Sequence, residues 1–287
     1  MKQVFSILAL ALVFGCKPDP TELEIPQAPE KIVVASQQIE GNLLVMVLTK
    51  SFGALEHKTV TPGSPLPEEL LIQNASVQLA GGGQSISLQE ISPGVYATET
   101  LTGINYASYT IQVNHPESGL SVESQAQMLP KVALDTFGVL PVAGTNNQYV
   151  LHYAFTDIPS QQNWYVVNYY TKDNARDSFP GNPLDVDYIA KRLLEQRLEF
   201  DLISEADIVN GGYQITKRFT NNQLDTFGIA LSNISQGYYE FLKAQQKYGS
   251  LTNKLRGEVV NMPTNISNGY GYFNLHTPDA HVIRIER

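Results

Sequence analysis

Residues 75–89 read ASVQLAGGGQSISLQ. Apolar and polar side chains alternate through Ala75–Ala80 and again through Gln84–Gln89, with Gly81, Gly82 and Gly83 between them. In an extended chain successive side chains point to opposite faces, so a period of two marks a strand with one buried side. Glycine supplies the backbone freedom that a tight reversal needs. The stretch predicts a β-hairpin. The same glycines could offer backbone N–H groups to an anion, but strand alternation on both sides favours the turn.

The texture continues in both directions. Lys31–Ser36 and Asn42–Thr49 are β-rich apolar runs, with Glu40, Gly41 and Asn42 as the turn between them. Pro93 and Gly94 form a turn dipeptide ahead of Val95–Thr100, and Tyr109–Val113 and Ser121–Met128 follow. About seven short strands without a strong helical pattern predict an immunoglobulin-like β-sandwich over residues 31–130. The segment Ser51–Glu69, with Pro62, Pro65 and Pro67, is a long loop and a candidate for binding.

Pro130 marks the boundary of a second domain, residues 131–287. Strands are expected at Gln148–Thr156, Asn163–Thr171, Ile208–Thr220 and Asp225–Ser232. Tyr188–Phe200 fits a helix by its leucine spacing and a strand by its last residues. A helix is expected near 235–248, capped by Ser235 and ended by Gly249, with Tyr238, Phe241 and Leu242 on the side that packs on the sheet. The fold class is mainly β: an immunoglobulin-like β-sandwich followed by a second β-rich domain with one or two helices. No short repeat of the solenoid kind is present.

The N-terminus carries an address. Met1 and Lys2 precede the apolar run Val4–Phe14, which ends at Gly15 and Cys16, the chain's single cysteine. A membrane-spanning helix needs roughly 20 apolar residues, so this run fits the core of a secretory signal instead. A small residue followed by cysteine is the pattern of a lipoprotein signal. Residues 1–15 are expected to be removed and Cys16 to be acylated, which anchors the protein through about 0.8 kcal/mol per buried CH₂. Residues 16–30 then form a tether, made extended by Pro18, Pro20, Pro26 and Pro29 and acidic by Asp19, Glu22 and Glu24.

Of 287 residues, 19 are Lys or Arg and 28 are Asp or Glu, a net charge of −9. With no basic stripe, nucleic acid is not an expected partner. The five histidines fall at no zinc-ligand spacing; His276 and His281 are near each other with only Asp279 between them as a third candidate ligand. No nucleophile, phosphate-loop or dinucleotide motif occurs. The carboxylate pairs Asp185/Asp187 and Glu205/Asp207 are sequence neighbours, whereas a glycosidase needs carboxylates facing across a cleft. The expectation is therefore no enzyme, no metal and no cofactor. Aromatics are the most suggestive group. Trp164, Tyr165, Tyr169 and Tyr170 divide between the two faces of one strand, and Tyr270 and Tyr272 lie in the segment NGYGYF. One face is core. The other is a candidate surface for a sugar, a peptide or a protein partner.

The segment Met262–Phe273, MPTNISNGYGYF, resembles the closing motif of a Bacteroidota lipoprotein family catalogued as domain-of-unknown-function family 4249. Asn74–Val77, Pro93–Tyr96, Asp207–Gly211 and the Ser-x-x-Tyr-Tyr start of the later helix, Ser235–Tyr239, come in the matching order. The triple glycine stands where the family usually has a single Asp/Gly turn. The resemblance implies an outer-membrane lipoprotein, lipid-anchored and facing the cell exterior. Its implied partner is a TonB-dependent outer-membrane receptor, for which it would capture a small nutrient ligand or cap the transporter. It implies no catalytic residues. An adhesin or envelope-structural module is the alternative. In the closing motif, Gly269 and Gly271 are expected to allow tight turns while Tyr272 or Phe273 plugs the core.

Overall fold

The structure, a computed structural model, describes residues 29–39, 43–51, 66–173, 186–194, 199–222, 224–248 and 262–285. The signal segment, Cys16, most of the tether, the turn at 40–42, most of the 51–69 loop and Gly249 lie outside the described residues. Seven strands build the first sandwich: β1 (Ile32–Gln38), β2 (Leu44–Lys50), β3 (Ser76–Gly81), β4 (Gln84–Ser92), β5 (Val95–Thr98), β6 (Ser108–His115) and β7 (Leu120–Leu129). The first, second and fifth strands pair in one layer, and the fourth, third, sixth and seventh in the other. Strand β4 belongs to both layers. Gln84–Leu88 pair with β3 and Gln89–Ser92 with β5, and the register shifts between Glu90 and Ser92, just past the change of partner. Bulges of this kind let a strand turn a corner between packed sheets.

The expected hairpin is β3–β4, with Gly81 opposite Gln84. The three glycines do different work. Gly83 has φ +77° and open space around it, so it serves the turn. Gly82 lies against Tyr109, where an added Cβ would stand 2.4 Å from the phenol oxygen. Tyr109 is fully buried at the start of β6. Its hydroxyl donates to the Thr102 carbonyl at 3.1 Å and accepts the Ile104 N–H at 3.0 Å. This is the tyrosine corner that ties the fifth-to-sixth-strand connection in immunoglobulin-like sandwiches. Tyr109→Phe leaves the Ile104 N–H without this partner and the Thr102 carbonyl with the Gln84 side-chain amide alone. It is expected to cost about 1–3 kcal/mol in urea unfolding; an unchanged midpoint would show that the corner is dispensable.

A second sandwich follows: β8 (Leu134–Pro141), β9 (Gln148–Thr156), β10 (Trp164–Asp173), β11 (Glu199–Ser204), β12 (Gly212–Thr220) and β13 (Leu224–Ile234), completed near the C-terminus by a seventh strand, Asp279–Arg284. Its layers are β8-β9-β12 and β11-β10-β13 plus the last strand. Numbered within the unit, the order is again first, second, fifth in one layer and fourth, third, sixth, seventh in the other. The chain therefore builds one topology twice. Two connections of the second copy are enlarged. Between its third and fourth strands lies α1 (Val186–Leu194), and after its sixth lies α2 (Gln236–Tyr248). The ambiguous stretch 188–200 is thus both things: helix to Leu194 and strand from Glu199. Ser235 caps α2, its hydroxyl oxygen accepting the Tyr238 N–H at 3.3 Å.

The C-terminal return departs from the expected domain division. β14 (Tyr270–Tyr272) pairs in parallel with β1, and β15 (Leu275–His276) in parallel with β7, before the last strand, β16 (Asp279–Arg284), rejoins the second sandwich. Ile266, Phe273 and Leu275 belong to the core of the first sandwich, with Ile32, Met46 and Val122. A segment expected to be part of the second domain thus closes the first. An open sandwich leaves two edge strands unpaired, and covering them removes an aggregation hazard.

Strand β2 is apolar on both faces for a related reason. Leu44, Met46 and Leu48 face the first core, whereas Val45 and Val47 face a second apolar layer. There, with Val95 and Ala97 of β5, they meet Tyr188, Ile189 and Ala190 of α1 and Tyr170 of β10. The two sandwiches share this layer.

Candidate functional site

The aromatic strand divides as alternation requires, but both of its faces are covered. Tyr165 and Tyr169 point into the core of the second sandwich with Tyr153, Phe155 and Phe227. Tyr170 points the other way and is buried in the layer between the sandwiches. Trp164 is half-buried against Val166, Ile234, Tyr238 and Leu242 at the foot of α2. Tyr272 stacks beside Tyr238 and Phe241, with ring centroids 5.4 and 5.5 Å away. Of the six aromatics proposed for binding, Tyr165, Tyr169 and Tyr170 are therefore core residues, and Trp164 and Tyr272 anchor α2. Tyr270 is exposed, at 44%, with Lys31 Nζ 5.0 Å above its ring. The enlarged connections supply the cover, and strand periodicity carries no information about them.

Charged and polar groups near these rings have structural employment. The Asp201 carboxylate accepts hydrogen bonds from the hydroxyls of Tyr153, at 2.9 Å, and Tyr169, and pairs with Lys217 Nζ at 2.6 Å. Lys217 also sits 4.3 Å over the Tyr169 ring. Burial, followed by the charge and hydrogen bonds of Tyr153 and Asp201, pushes the Tyr169 hydroxyl far above its ordinary value, so it stays protonated and donates. The group joins β11 of one layer to β12 of the other at the open side of the sandwich. Asp157 similarly accepts from Tyr165, while Asn163 Nδ2 donates to Asp157 at 3.1 Å. Glu205 and Asp207 form a local turn, with Asp207 accepting the Ser204 N–H at 2.8 Å and Glu205 accepting the Asn163 N–H at 3.3 Å.

Asp279 ties the linker to the last strand. Its carboxylate meets Lys131 Nζ at 2.7 Å, the Leu134 N–H at 2.8 Å and His281 Nε2 at 2.9 Å. Burial pushes this carboxyl up. The hydrogen bonds from Lys131, Leu134 and His281, with the His281 charge, outweigh it and hold Asp279 below its ordinary value. A lysine on the carboxylate is the wrong neighbour for a cation. Among the described residues no group of three or more His, Cys, Asp or Glu could hold a metal ion. His276 and His281 lie on different strand pairs, β15 with β7 and β16 with β13. His276 is buried at 2% exposure beside β7, its backbone N–H donating to Gln38 Oε1 at 3.0 Å.

Three clefts among the described residues border the first sandwich. One, of about 540 Å³, is bordered by Lys50, Glu68, Glu69, His115 and Glu117. Another, of about 320 Å³, is bordered by Leu43, Ile91, Ala97 and Val186. A third, of about 300 Å³, is bordered by Gln112, Asn114, Ser121, Glu123, Ser267 and Asn268, with the buried Val122 beneath.

The closing motif builds one wall of this third cleft. Asn265 spans the turn with its amide. Its Oδ1 accepts the Phe273 N–H at 2.9 Å and its Nδ2 donates to the Phe273 carbonyl at 2.7 Å. Ser124 Oγ donates to the Asn265 carbonyl at 2.9 Å, and the Ser267 N–H donates to the Glu123 carbonyl at 2.8 Å. Asn268 adopts φ +62°, a conformation that Asn tolerates. Phe273, fully buried, is the plug, and the core it fills is that of the first sandwich. Sequence reasoning singled out the aromatics of this motif and gave Asn265, Ser267 and Asn268 no binding role, because small polar residues on a turn carry no distinguishing period.

A protein-family profile described as "Domain of unknown function (DUF4249)" matches residues 18–280. No curated protein matches the chain. Among solved structures, a two-domain fibronectin type III segment from chicken tenascin aligns at 6% identity, covering 90% of this chain and 100% of that one, with a TM-score of 0.24. A DUF3823 family protein from Parabacteroides merdae aligns at 10% identity, covering 72% and 91%, with a TM-score of 0.22. Likenesses this distant carry no argument, and the immunoglobulin-like assignment rests on the strand order itself.

Proposed function

We propose, from the premise that the chain belongs to the DUF4249 family, that it is a lipid-anchored outer-membrane protein whose body is an accessory ligand-capture or capping subunit of a TonB-dependent receptor. The observation that carries this reading is the order of parts. The lipid-acceptor Cys16 and an acidic, proline-rich tether lead directly into β1, the strand that the C-terminal return pins in place. The body so anchored is two sandwiches sharing an apolar layer, and it presents clefts on its outer surface. Capture by an exposed, preformed surface suits such a frame. The helices reinforce the frame: among the described residues none is long and apolar enough to cross a membrane. Two sandwiches in series also suit an adhesin or envelope-structural module, which is the second reading.

Affinity purification from cross-linked membranes separates the two. A TonB-dependent β-barrel receptor is expected to co-purify with the wild-type chain. Cys16→Ala is expected to leave the body folded and to release it from the membrane fraction after a high-salt wash. Failure to recover any β-barrel receptor, with loss of adhesion and unchanged nutrient growth on deletion, would replace the receptor reading with the adhesin one.

A further inference from the structure

We propose that the cleft between β6, β7 and the Ser267–Asn268 turn is a binding subsite for a neutral glycan. Its border is made of three side-chain amides, two hydroxyls and one carboxylate, from Gln112, Asn114, Asn268, Ser121, Ser267 and Glu123. A sugar hydroxyl both donates and accepts. Planar amides offer a donor and an acceptor side by side, and a carboxylate accepts from two adjacent hydroxyls. No Lys or Arg borders the cleft, and Glu123 repels anions. The ligand that fits this chemistry is polyhydroxylated and uncharged.

The neutrality extends beyond the cleft. Outward residues of β6 and β7 face each other in the pairs Thr110–Gln125, Gln112–Glu123 and Asn114–Ser121, so a single charge occurs across three rows. Exposed positions elsewhere in proteins are dominated by Lys, Glu, Arg and Asp. A flat amide-and-hydroxyl platform continuing from a cleft can seat further sugar units. About 300 Å³ is at the small end of small-molecule sites and suits one or two rings rather than a large cofactor.

The groups are also held in place. Gln112 Nε2 donates to Glu123 Oε2 at 2.9 Å, which orients the carboxylate. The opposite wall is fixed through the bonds of Ser267 and Asn265 to β7. Groups ordered before binding lose less entropy when the ligand arrives. A peptide adding as a strand would need the free edge of β7. That edge is occupied by β15 and by the Glu123–Ser267 bridge, so β-strand addition does not compete here. With no aromatic ring in the border, hydrogen bonds alone hold the sugar, and the affinity is modest.

The inference deepens the capture reading and depends on it only for the role of binding in uptake. Its test is equilibrium titration of the full chain in detergent with maltohexaose, cellohexaose, xylohexaose, laminarihexaose and mannohexaose, with polygalacturonate as the anionic control. At least one neutral oligosaccharide is expected to bind below millimolar concentration, and polygalacturonate is not. Glu123→Ala and Asn114→Ala, at exposed positions, are expected to weaken binding by about tenfold, as loss of a charge-assisted or paired amide bond would, without moving the unfolding midpoint. Absence of binding by all five sugars, or binding unchanged in both variants, overturns the site. A receptor recovered without glycan binding would remove the glycan site alone. Glycan binding without a receptor would remove the receptor role alone.

Discussion

Gly271→Ala is expected to cost on the order of 4 kcal/mol, because three separate penalties meet there. The residue has φ +94°, where any side chain is strained, and an added Cβ would stand 1.9 Å from the Val34 carbonyl oxygen. Val34 is its register partner across the β1–β14 pair, so the clash is backbone against side chain and no rotamer relieves it. Relief requires β14 to move off β1, and Phe273 is two residues away in the first core. Opening the pair therefore unseats the plug as well. Gly83→Ala is the control. It also has positive φ, at +77°, but nothing lies within 4 Å of the added methyl. Its cost is the strain alone, roughly 1–2 kcal/mol. Urea unfolding of both variants measures the difference. A Gly271→Ala loss no larger than that of Gly83→Ala would mean that the C-terminal return does not hold the first sandwich.

Acid is expected to destabilise the protein through His276. Burial pushes its imidazole down from 6.5 to about 4, because the charged form is poorly solvated there. Its Nδ1 has no hydrogen-bond partner among the described residues, so nothing offsets the desolvation. Between these two values the unfolded chain takes up a proton that the folded chain does not. Stability contributed by the neutral ring is therefore whole above pH 6.5, declines as pH falls through the window, and is fully lost below about pH 4. A shift of this size corresponds to about 3 kcal/mol. Asp279 titrates lower, since its carboxyl is held below its ordinary value, so its own contribution is lost only at more acid pH. The measurement is unfolding free energy against pH for wild type and His276→Gln. The wild type is expected to lose about 3 kcal/mol more than the variant between pH 7 and pH 4; parallel profiles would place the effect elsewhere.

Much of the fold was legible because its signals are local. The alternation of 75–89 was enough for the β3–β4 hairpin, Pro93 and Gly94 for the turn into β5, and the run from Ser235 for α2 and its cap. The candidate site was legible only in part. The division of the four aromatics between two strand faces was legible, yet the face that carries Trp164 and Tyr170 is covered by α2 and by the layer around α1. The cleft between β6, β7 and Ser267 had no signature, since its two walls come from residues more than a hundred positions apart.

Strand positions, turns and helix caps follow from side-chain period and backbone freedom over a few residues, and the sequence by itself determined them. Tertiary structure decided the rest. It made the second domain a repeat of the first, because strand order depends on which edges meet and not on the strands themselves. It assigned the closing motif to the first core, where Phe273 packs with residues of β1 and β7 far from it in sequence. It also determined which aromatics see solvent, since exposure is a property of what packs on top.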